Sequence, residues 1–98
     1  MIGYSERAES QIVELRQYYE DRDRDTAIRS LYAAMDQAER KIDANPAAGL
    51  RAPRAYPGVA RPGPAWVKAG RYWFNYTVGS DPVVVAVFYD TADIPNRL

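Results

Sequence analysis

The 98-residue chain contains no histidine and no cysteine. Acid–base or nucleophilic chemistry would therefore fall to lysine, arginine, tyrosine and carboxylates, and neither a thiolate metal site nor a disulfide framework is available. The formal charge is zero, with 13 basic and 13 acidic side chains, but the charges are unevenly spread. Acidic residues outnumber basic ones in residues 1–45, and the balance reverses in residues 46–98. No carboxylate side chain occurs between Asp43 and Asp81, and Arg51, Arg54, Arg61, Lys68 and Arg71 all lie in that gap. Such a concentration of positive charge can attract an acidic protein segment or a phosphate; a solvated loop and strand edge accounts for the same residues.

The second candidate feature is the stretch "RYWFNYTV". Its even positions, Tyr72, Phe74, Tyr76 and Val78, form one apolar row. Its odd positions, Arg71, Trp73, Asn75 and Thr77, form a polar row interrupted by an indole. Period-two alternation predicts a half-buried strand with the even row toward a core. An exposed tryptophan flanked by Arg71 and Asn75 would suit recognition of a partner chain or a base, although aromatic residues also favour strands for packing alone.

Ser5 is placed to cap a helix over "ERAESQIVELRQYYE", whose apolar stripe is Ala8, Ile12, Leu15 and Tyr19. The run "DRDRD" breaks the pattern, and Asp23 or Asp25 is expected to cap a second helix with the stripe Ile28, Leu31, Met35, Ala38 and Ile42. Asn45-Pro46 ends it. The two helices, over residues 5–44, form a hairpin that buries its stripes against another layer. Residues 45–64 form a Pro/Gly-rich connection without periodicity, expected to run over the surface. Three strands follow in residues 65–90, at 65–69, 71–78 and 83–89, with "GSDP" turning the last two into a hairpin. "VVVAVFY" is apolar throughout and belongs at the sheet centre, with a short strand at residues 2–4 beside it.

The expectation is one α+β domain spanning residues 1–98: a small, mainly antiparallel sheet of three to four strands in the order β-α-α-β-β-β, with the helix hairpin on one face. No apolar run is long enough to span a bilayer, and "MIGYSERAES" lacks the pattern of a signal peptide, so a reducing, cytoplasmic setting is expected.

The order of elements, together with "SERAESQIVELRQYYE", "IDANPAAG", "WVKAGRYWFNYTV" and "VVVAVFYDTADIPNRL", resembles the RelE/ParE superfamily of toxins from bacterial type II toxin–antitoxin systems, including plasmid stabilisation proteins. The resemblance spans the whole chain. It implies the fold described above and a cognate antitoxin that wraps the toxin in a hetero-oligomer. Members of the RelE type cut mRNA on the ribosome with basic and tyrosine side chains, and members of the ParE type poison DNA gyrase without a nuclease site. In the nuclease pattern an arginine follows the aromatic that opens the long strand; matching Tyr72 to that aromatic puts Trp73 in the arginine's place. A second arginine, expected just after the last strand, falls near Asp90. A carboxylate there has the wrong sign to stabilise a phosphorane.

The resemblance therefore implies a ParE-like growth inhibitor that needs no metal or cofactor. Lys68, Arg71, Trp73, Asn75 and Arg97 are its expected contacts with antitoxin or target. Were the chain a ribosome-dependent endoribonuclease instead, Lys68, Arg71, Tyr89 and Arg97 would carry the chemistry; Tyr76 is turned toward the core by its parity. A non-toxic binding or regulatory module of the same fold is the third reading. Arg71 is also placed to pair with Asp90.

Overall fold

The computed structural model describes residues 2–54, 56–60, 63–91 and 94–97, excluding the side chains of residues 96 and 97. Strand β1 (Gly3–Tyr4) leads into helices α1 (Glu6–Glu20) and α2 (Asp25–Ala44). Strands β2 (Pro64–Ala69), β3 (Tyr72–Thr77) and β4 (Val83–Tyr89) follow, then a single-turn helix α3 (Ile94–Arg97). The sheet order is β1-β4-β3-β2; β1 runs parallel to β4, and the other pairings are antiparallel. The fold is thus α+β with β4 inside the sheet, as its continuous apolar run requires. Among the described residues no helix is long and apolar enough to cross a membrane.

Ser5 caps α1 as its position predicts: its Oγ accepts the Ala8 N–H at 3.2 Å, and Glu6 and Glu9 sit at the positive end of the helix dipole. The Ser5 hydroxyl also donates to the Val85 carbonyl at 3.2 Å. The cap of α2 differs from expectation. Arg24 occupies the N-cap position without a side-chain hydrogen bond, and Asp25 is already helical. Asp23 instead adopts a left-handed conformation, φ 53°, which Asp tolerates better than most residues and which reverses the chain between the helices.

The helix stripes pack on one sheet face. Ala8, Ile12 and Tyr19 of α1, with Leu31, Ala34, Ala38 and Ile42 of α2, enclose Tyr72, Phe74, Tyr76, Val84 and Val87. Val78 departs from the even row: β3 ends at Thr77, and Val78 is exposed in the turn. Within β4, Asn75 pairs with Ala86 but Tyr76 pairs with Val84, so Val85 bulges out of register. The bulge reverses the parity of the strand. Val84 and Val87 therefore face the helices, while Ala86 and Phe88 face the other way.

That other face was expected to be open and is not. Trp66, Trp73, Ala86 and Phe88 form a second core, closed by Val59 and Ile94, with Leu50, Ala52 and Tyr56 packed against it. Trp73 is only 4% exposed, which corrects its reading as an exposed anchor. The reason is area: two indoles and a phenyl ring on one face carry too much apolar surface to leave in water, each worth roughly 2–3 kcal/mol when buried. The Pro/Gly-rich connection, expected to run over the surface, supplies the cover. It forms 3₁₀ turns at Pro46–Ala48 and Pro57–Val59, and Leu50 pairs through both backbone groups with Trp66 at 2.7 Å.

Candidate functional site

The charged residues singled out in the sequence meet at one end of the sheet, where the β2–β3 turn lies beside the end of β4. Gly70 makes that turn with a positive φ of 57°, and the Asp90 N–H donates to the Arg71 carbonyl at 2.8 Å, which fixes Asp90 opposite Arg71. Asp90 Oδ2 lies 3.8 Å from Lys68 Nζ and 3.9 Å from Arg71 Nε. The expected pairing of Arg71 with Asp90 is therefore present, and Lys68 joins it. Asp90 Oδ1 is buried without a hydrogen-bond partner. Both contacts are longer than a hydrogen bond, so one carboxylate loosely holds two cations.

The sheet divides this cluster. Lys68 lies opposite Trp73 in the β2–β3 register, and its ammonium is 5.9 Å from the indole centroid, on the second-core face. Tyr89 packs toward the helix-side core, edge-on to Tyr72 with centroids 5.5 Å apart. Arg71, 69% exposed at its side chain, bends around the sheet end with its guanidinium 5.5 Å from the Tyr89 ring. Lys68 and Tyr89 thus occupy opposite faces, and only Arg71 reaches both Tyr89 and Asp90.

The remaining candidates are dispersed. Asn75 faces the second core between Trp66 and Ala86, half-buried, with its Oδ1 lacking a hydrogen-bond partner. Arg97 belongs to α3, but its side chain lies outside the described residues, as do Arg61 and Asp93. Tyr76 is 1% exposed, as its parity predicts; its hydroxyl donates to the Pro46 carbonyl at 2.6 Å, and burial raises its pKa above the ordinary tyrosine value. Tyr72 is held by a hydrogen bond between its hydroxyl and that of Tyr19, and burial followed by that bond pushes its pKa well up. Neither phenol is suited to give or take protons near neutral pH.

Two clefts flank the cluster. The larger, about 1270 Å³, opens between the helix-hairpin turn and the sheet end, and its walls mix signs: Glu14, Asp23 and Asp25 with Arg24, Arg29 and Arg71. The smaller, about 680 Å³, lies between the end of α2 and β2; Lys41, Arg54 and Lys68 line it. Lys41 and Arg54 were not among the expected site residues. Arg54 belongs to the carboxylate-free gap, whereas Lys41 precedes it and reads in sequence as an ordinary cation in the last turn of a helix. The smaller cleft offers positive charge and hydrogen-bond donors. No protein-family model matches the chain, and no curated protein matches it.

Proposed function

We propose that the chain is a ParE-like toxin of a type II toxin–antitoxin pair: a cytoplasmic, non-enzymatic inhibitor that arrests growth by binding DNA gyrase and is neutralised by a cognate antitoxin. The observation that carries this reading is the division of the cluster. Lys68 and Tyr89 lie on opposite faces of the sheet, and Asp90 stands between the cations Lys68 and Arg71. A nuclease needs its cations and proton carrier convergent on one phosphate, free of a competing carboxylate. A binding surface has no such requirement. The β-α-α-β-β-β order and the sequence resemblance to the RelE/ParE superfamily support the toxin part of this reading, which the nuclease alternative shares.

The endoribonuclease alternative draws on one observation: Lys68 and Arg71 share a single carboxylate, a pair of cations that a phosphate could capture in its place. Expression from a tightly repressed promoter, with pulse-labelling of DNA and protein synthesis after induction, separates the two. An early fall in DNA synthesis is expected; an early fall in protein synthesis would reject the gyrase reading. Arg71→Gln removes an exposed contact without opening the core and is the appropriate variant for mapping the surface. Trp73→Ala is not, because it removes core.

A further inference from the structure

The smaller cleft differs from the larger in the sign of its walls. No Asp or Glu lines it, whereas Lys41, Arg54 and Lys68 do, together with the amide side chains of Gln37 and Asn45. The cations are fixed by different means. Lys41 Nζ donates to the Lys68 carbonyl at 2.8 Å, crossing from α2 to the outer edge of β2, and among the described residues its other two N–H groups have no hydrogen-bond partner. The Arg54 guanidinium and the Lys68 ammonium lie 5.8 Å and 5.9 Å from the Trp73 ring centroid, so one buried indole places both. Among the described residues, the only ion pair on these three cations is the loose one of Lys68 with Asp90.

We propose that this cleft docks an extended acidic peptide segment of a partner protein, its carboxylates meeting Lys41, Arg54 and Lys68. Charge complementarity argues for the acidic chemistry. A peptide is favoured over single-stranded nucleic acid because Trp66 and Tyr76, the aromatic residues that line the cleft, are 2% and 1% exposed and offer no face for base stacking. The segment is held by side chains rather than by strand addition. Pro64 has no N–H to give, Trp66 is already paired with Leu50, and the Lys68 carbonyl is taken by Lys41, so the outer edge of β2 has no continuous row of groups for an added strand. The site rests on the toxin reading only for the identity of the partner, an antitoxin; the acidic chemistry follows from the cleft itself.

The test is fluorescence anisotropy with a short fluorescein-labelled peptide of alternating Glu and Ser, the same peptide with Gln for Glu, and a short labelled oligouridylate. The acidic peptide should bind, more weakly as salt is raised, and the Gln peptide should not. The Lys41→Gln/Arg54→Gln double variant should bind about tenfold more weakly, and the charge-conserving Lys41→Arg/Arg54→Lys pair should restore binding. Both positions are exposed, so the melting temperature should be retained; Arg54→Gln alone gives the same direction if loss of the Lys41 bond unfolds the chain. Equal binding of the Gln peptide, unchanged affinity in the variants, or tighter binding of oligouridylate through the same cations would overturn the proposal. Growth arrest is read separately with the unmodified chain. Arrest without peptide capture rejects the cleft and keeps the toxin reading, whereas capture without arrest does the reverse.

Discussion

The two faces of the sheet are both buried, but by different means. On one, two regular helices lay periodic stripes over Tyr72, Phe74 and Tyr76; on the other, an irregular segment rich in proline and glycine is drawn over Trp66, Trp73 and Phe88. Helices satisfy their own backbone hydrogen bonds, so the first cover needs only side-chain packing. The second cover must place its backbone piecemeal, through the Leu50–Trp66 pair, two 3₁₀ turns and the Tyr76 hydroxyl on the Pro46 carbonyl. Periodicity in sequence therefore belongs to one way of closing a core and not to the other.

Substitutions beneath each cover distinguish the two. Phe74→Ala, at 0% exposure beneath the helices, should cost about 4 kcal/mol and abolish cooperative urea unfolding at ordinary temperature. Trp73→Ala should cost less, about 3 kcal/mol, because the irregular cover can partly collapse into the space, and far-UV circular dichroism should retain the helix signal. A loss at Trp73 equal to that at Phe74 would show that the two covers are equally rigid.

The joint between the covers is more selective. A Cβ at Gly49 would lie 2.8 Å from the Ala65 Cβ and closer still to the Tyr76 hydroxyl, so Gly49→Ala should cost about 2 kcal/mol and release the turn at Pro46. Tyr76→Phe removes only the hydrogen bond and should cost about 1 kcal/mol in the same denaturation experiment. The smallest effect near neutral pH concerns Tyr72. Its folded-state pKa is raised by burial and by the bond to Tyr19, so the folded chain keeps a proton that the unfolded chain releases near pH 10. Stability from this group is fully present below about pH 10 and should fall as the pH rises beyond it. Alkaline urea titrations should show that decline, shallower in Tyr72→Phe.

Much of the first face was legible because each helical stripe repeats at spacings of three and four and the even row of β3 alternates. The second face was hidden for two reasons. In "VVVAVFY" every residue is apolar, so a bulge that exchanges the faces of β4 after Val84 leaves no mark in the pattern. Leu50, Ala52, Tyr56 and Val59 have no regular spacing, and only the fold brings them over Trp73. The candidate site divides in the same way. The pairing of Arg71 with Asp90 could be read from charges flanking adjacent strand ends, whereas Lys41 reaches Lys68 across 27 residues of sequence and carries no local signal.

Ser5 has a further consequence for how the chain is made. Its hydroxyl bonds to Val85, 80 residues away, and among the described residues β1 pairs with Val83 and Val84 of β4 alone. Strand β1 is synthesised long before β4 and so lacks its strand partner until β4 emerges. The helix hairpin, whose contacts are local, can form in the interval, but its apolar stripes stay uncovered until the sheet arrives. Nascent chains stalled before residue 83 should therefore be held by chaperones that recognise exposed apolar helices, and completion of β4 should release them in a single cooperative step.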